Sequence, residues 1–172
     1  VIRFDMKVMT MPYKSNATWT FKVESVNGDS AVNVSISDSV EGVKPTAGQW
    51  QSYSFNLSDL AAAGLDVEAI DAIMIYPGWS SGAGAVYQIT NLAITTGVEK
   101  TEAEVVLFED AENPSWPMWN SAGGPMPVVV LDEEDVHGNV AEFAITGNAV
   151  TGFVTRADKI TDATAQPEPF NA

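Results

Sequence analysis

The chain has 172 residues, with 23 acidic side chains against 8 basic ones, one His and no Cys, for a formal charge of −15. That sign repels phosphate backbones and excludes nucleic-acid recognition, while zero Cys excludes disulfides, thiolate metal sites and thiol nucleophiles. The length suits a single core, and no apolar run approaches the ~20 residues of a membrane span.

The pattern along the chain has mostly period two. Ile2, Phe4, Met6 and Val8 alternate with Arg3, Asp5 and Lys7, and Trp19, Phe21 and Val23 alternate with Thr18, Thr20 and Lys22. Val32, Val34 and Ile36 follow the same rule, as do Tyr53, Phe55 and Leu57. Each run predicts a half-buried strand with one wet face. Between the fourth strand and the next lies a helical turn. Ser58 and Asp59 are its expected N-cap residues, Leu60 to Ala63 its body, and Gly64 its C-cap position. Further strands are expected over 72–76, 86–95, 105–109, 140–145 and 151–155. About nine short strands separated by Gly, Asn, Asp and Pro predict an all-β fold, a two-sheet antiparallel sandwich with one short helix. Long or unusual loops are expected over 10–16, 38–49, 78–84 and 113–127, the last rich in Pro, Gly and Trp.

Charge is unevenly divided. Residues 1–100 carry 10 acids and 6 bases, a net of −4, whereas residues 101–172 carry 13 acids and 2 bases, a net of −11. The acidic run 132–135 reads as a solvated loop, because adjacent like charges repel unless a cation sits between them. His137, the only His, reads as a turn residue beside that run, and Arg156 as the partner of a carboxylate. The polar stretch 95–104 has the character of a domain terminus, while residue 1 opens directly in strand pattern. This predicts a circularly permuted order, or a chain cut across the boundary of two tandem modules.

The run GQWQSYSFNLSDLAAAGLDVEAIDAIMIYPGWSSGAGAVYQITNLAI, residues 48–94, resembles the C-terminal part of jelly-roll carbohydrate-binding modules. The relatives are those appended to marine bacterial laminarinases and other polysaccharide hydrolases. FEDAENPSWPMWNSAGGP, residues 108–125, resembles the opening strand and first loop of such modules. Residues 1–100 thus resemble the later part of one module and 101–172 its earlier part, together a single jelly-roll domain. The resemblance implies a secreted or cell-surface module, monomeric within a larger chain, whose partner is a polysaccharide. A β-glucan such as laminarin is the leading ligand. It also implies a structural Ca²⁺, for which Glu109, Asp110 and Asn91 are the candidate ligands.

A sugar site needs flat aromatic faces for pyranose C–H groups and amide or carboxylate partners for hydroxyls. Trp19 falls on the apolar face of a strand and is expected in the core, and Trp50 is expected to cover a sheet edge or line the site. Trp79, in PGWSSGAG, and Trp116 and Trp119, in NPSWPMWN, are the expected stacking platforms; Pro on either side stiffens the latter loop. Tyr76, Asn113, Asn120 and Gln51 flank them as hydrogen-bonding candidates. The alternatives are a structural or adhesion module without glycan binding, and a jelly-roll glycosidase or lyase. The last lacks the E-x-D-x-E strand motif of sandwich glucanases, and a lone His with two Arg barely supplies a lyase centre.

Overall fold

A computed structural model describes residues 1–96, 104–121, 124–134 and 136–172. It is a two-sheet antiparallel β-sandwich with one short α-helix. In chain order the elements are β1 (Ile2–Thr10), β2 (Trp19–Ser25), β3 (Ser30–Ser35), β4 (Trp50–Phe55), α1 (Leu57–Ala62), β5 (Ile70–Pro77) and β6 (Val86–Thr95). There follow β7 (Glu104–Glu109), β8 (Ala111–Glu112), β9 (Met118–Asn120), β10 (Val128–Leu131), β11 (Asn139–Ala144) and β12 (Thr151–Val154). Sheet A runs β10-β11-β6-β1-β4, with β7 also pairing β6 and β8 pairing β7. Sheet B runs β3-β2-β5-β12-β9. Both sheets therefore contain strands from before and after residue 100, which meet at β11–β6 and β7–β6 in sheet A and at β12–β5 in sheet B.

Alternation decides which faces meet. Ile2, Phe4, Met6 and Val8 of β1 are buried against Trp19, Phe21 and Val23 of β2, and Tyr53 and Phe55 of β4 join them. Phe21 stacks on Phe55 with ring centroids 3.9 Å apart. Tyr87 of sheet A donates its hydroxyl across the core to Ile75 O of sheet B, 2.6 Å away, and also contacts Thr151 Oγ1. A polar tie of this kind satisfies a phenol that burial would otherwise penalise, and the same burial pushes its pKa upward.

The helix differs from expectation at its start. Its N-cap is Asn56, whose Nδ2 donates to Asp59 Oδ2 at 3.0 Å, so Ser58 and Asp59 lie inside the first turn. The shift places Leu57 and Leu60 together on the buried side, and their burial sets the phase. Gly64 follows the helix at φ +104°. Strand β10 was not expected: Val128, Val129 and Leu131 are all exposed, so both of its faces are wet and no alternation marks it. Among the described residues no helix is long and apolar enough to cross a membrane.

Candidate functional site at the loop end

Two loops at one end of the sandwich hold exposed rings. Trp79, in the loop after β5, is 51% exposed, and Tyr13, in the loop after β1, is 84% exposed. The loops are tied to each other and to the body. Tyr13 N donates to Ala83 O at 2.9 Å, Lys14 Nζ to Ser80 O at 2.8 Å, and Gly78 N to Thr18 O at 2.5 Å. Gly84 is the seat of the Tyr13 ring. It sits at φ +89°, and a Cβ there would lie 2.5–2.6 Å from three carbons of that ring. Only Gly lets the phenol ring rest so close to backbone. One edge of Tyr13 is thereby fixed while most of its surface stays open, an arrangement that costs little entropy when a flat ligand stacks on it. Tyr13 was missed at the sequence level; its signals are the preceding Pro12 and the Gly-rich partner loop 71 residues later.

The other expected platform residues are dispersed. Trp116 is fully buried in the core, with Nε1 donating to Glu168 O at 3.2 Å. This corrects its assignment as an exposed platform: the indole anchors the Pro-rich loop and exposes no face. Trp119 is half-buried on the outer face of sheet B, opposite Gly152 of β12, and packs on the cluster of Met74, Tyr76 and Val154. Lys159 Nζ lies 5.7 Å from its ring centre, a cation–π contact. Tyr76 is buried in that cluster, and burial, with Glu24 nearby, raises its phenol pKa. The structure thus brings Trp119 and Tyr76 together on sheet B. Asn113 caps its own turn, donating to Val106 O at 2.9 Å and accepting from Ser115 N at 3.0 Å. Asn120 is buried and donates to Pro125 O at 3.0 Å, and Gln51 bridges Thr46 N and Lys44 O. These three amides hold turns. Trp19 is in the core, as expected.

The outer face of sheet A carries a groove of about 520 Å³. Asp5 lines it, accepting from Ser52 Oγ at 2.6 Å and Asn91 Nδ2 at 2.7 Å, and Arg3 pairs with Glu104 at 2.6 Å. The two rings that line it, Phe4 and Tyr53, are buried, so the groove presents no stacking face. Burial, then Glu41, pushes the Tyr53 phenol up to about 12. Glu109 and Asn91 share this groove, but Asp110 accepts from Asn139 N at 3.0 Å and is not part of its lining. With Asn91 turned to Asp5 and Asp110 to Asn139, the three do not make one oxygen cage of the kind Ca²⁺ takes. Among the described residues no group of three or more His, Cys, Asp or Glu is placed to hold a metal.

The acidic run also differs from a solvated loop. Asp132 is buried, accepts from Glu134 N, Val136 N and Trp50 Nε1, and its loop lies over β1, where Glu134 pairs with the buried Lys7 at 2.8 Å. Desolvation acts to raise the Asp132 pKa, but these backbone donors and Lys7 outweigh it and hold the carboxyl below its ordinary value. Asp135 lies outside the described residues. His137 packs edge-on against Trp50, with ring centres 4.5 Å apart, so Trp50 covers the sheet beneath this loop. Arg156 pairs with Asp71 at 2.6 Å and Glu24 at 2.7 Å, the carboxylate role expected of it. Compared with protein-family models, curated proteins and solved structures, the chain matches none, so the loop-end site is read from its own chemistry.

Proposed function

We propose that this protein is a non-catalytic carbohydrate-binding module that docks a polysaccharide on the Tyr13–Trp79 loop end. The observation that supports it is the pair of open aromatic rings on loops cross-linked to one another, 84% and 51% exposed. Exposed aromatic rings on loops tied to one another offer flat apolar faces on which the C–H faces of sugar rings stack. The resemblance to jelly-roll modules of laminarinases points the same way and makes a β-glucan such as laminarin the first ligand to test. In a secreted or cell-surface enzyme such a module raises the local concentration of substrate. Affinity electrophoresis through gels containing laminarin tests the proposal. Retardation that Trp79→Ala and Tyr13→Ala each reduce supports it. Free migration through every polysaccharide gel favours a structural module, and released reducing ends after incubation favour an enzyme.

A further inference from the structure

Seven of the eight cationic side chains lie among the described residues, and five of them are paired with carboxylates. Arg3 pairs with Glu104, Lys7 with Glu134, Lys22 with Glu24, Arg156 with Glu24 and Asp71, and Lys159 with Asp158. The two without a carboxylate partner among the described residues, Lys14 and Lys44, both stand at the loop end. Lys14 follows Tyr13 directly and donates to a carbonyl, Ser80 O, at 2.8 Å. Lys44 borders a cleft of about 360 Å³ beside the same loop, within the size range of small-ligand sites. Its polar lining is Ser15, Asn16, Thr18, Ser35 and Ser37, with no carboxylate. Trp19 also lines the cleft, and its buried indole N–H has no acceptor among the described residues.

In a chain of net charge −15, a cleft with no carboxylate in its lining among the described residues, and with unpaired cations beside it, stands apart. The sheet A groove contains Asp5, Glu104 and Glu109, and two other clefts contain Asp38 and Asp59, and Asp162. Charges more than ~8 Å away are largely screened at physiological salt, so the local lining governs what an approaching group meets. Hydroxyls, an amide and a cation, with Asp38 behind them committed to the backbone N–H of Ser35 at 3.0 Å, suit a sugar ring that bears an oxyanion.

We propose that the loop end is selective for an anionic glycan: a pyranose unit stacks on Tyr13 and Trp79 while a neighbouring unit places its carboxylate or sulfate in the cleft beside Lys44. This rests on the glycan-binding function proposed above and narrows its ligand away from neutral β-glucan. The test is affinity electrophoresis with EDTA present through alginate, which carries carboxylates, carrageenan, which carries sulfates, and neutral laminarin. Wild-type protein is compared with Lys44→Gln, Lys14→Gln and Trp79→Ala. The expected result is stronger retardation by one or both anionic gels than by laminarin, weakened by added NaCl. Lys44→Gln should weaken it about tenfold, the loss of one charge-assisted hydrogen bond. Whichever anionic gel retards identifies the oxyanion. Retardation by laminarin at least as strong as by the anionic gels, or lysine variants that migrate as wild type in them, overturns the selectivity and leaves the glycan-binding function standing. Free migration of the wild type through all three gels overturns both.

Discussion

Removing Arg156 is the sharpest test of how the sandwich is held together away from its core. The guanidinium, 19% exposed, lies at the end of β12 and reaches Asp71 on β5 and Glu24 on β2, which are 3% and 12% exposed. Asp71 also accepts from the backbone N–H of Asn27, so one carboxylate joins the β2–β3 turn to the centre of sheet B. Arg156→Met keeps the aliphatic stem and deletes the charge. It strands the almost fully buried Asp71 and leaves Glu24 with Lys22 alone, and breaking a buried pair from one side costs about 3–5 kcal/mol. For a domain of this size that corresponds to a Tm lower by roughly 6–20 °C. The dependence on pH adds a second readout. Desolvation acts to raise the Glu24 pKa, but hydrogen bonds and charge from Lys22 and Arg156 outweigh it and hold it below the ordinary 4.5. A lowered carboxylate pKa stabilises the fold above the unfolded value, and that stabilisation is lost as pH falls through the folded value. The gap between wild type and Arg156→Met, measured by urea unfolding, should therefore be widest at neutral pH and narrow below about pH 4.5. A loss under about 1 kcal/mol at pH 7, or a gap that does not shrink in acid, would refute the assignment.

Other expectations follow from single positions. Gly152→Ala would put a Cβ 2.1 Å from Ile73 O and 2.7 Å from Met74 Cα, both backbone atoms in the middle of sheet B. It should cost more than about 4 kcal/mol or prevent folding, whereas Gly147→Ala, which meets open space, should stay within about 0.5 kcal/mol in the same thermal melt. Val26 sits at φ +54° in the β2–β3 turn with 39% exposure. Because a β-branched residue is strained there, Val26→Asn should stabilise by about 1 kcal/mol; an unchanged or lower Tm contradicts this. Asp132→Asn should destabilise at pH 7, where the loop's backbone donors hold a carboxylate, and the difference should vanish as pH drops below the ordinary aspartate value of 3.8. A difference that persists at pH 2.5 would show that packing, not charge, carries the effect.

The strands were legible because burial on one face only leaves a period of two, as in Trp19, Phe21 and Val23. β10 escaped for the converse reason, since a strand wet on both faces leaves no period to read. Among the tryptophans, strand phase placed Trp19, but loop composition could not separate Trp79 from Trp116. Pro and Gly neighbours describe how stiff a loop is and say nothing of which way its ring points. For Trp116 that direction is set by Glu168, 52 residues later, and for Tyr13 by Gly84, 71 residues later. Both are tertiary contacts between residues far apart in the chain. The acid run misled in the same way, because its first carboxylate turns inward to collect donors from Glu134, Val136 and Trp50.

The most direct measurement is a polysaccharide array read with the wild type and the Tyr13→Ala/Trp79→Ala double variant, both checked for equal Tm. The account predicts that the wild type is captured by at least one glycan and that the double variant loses that capture without losing stability. Capture that survives removal of both rings would contradict the loop end as the binding site.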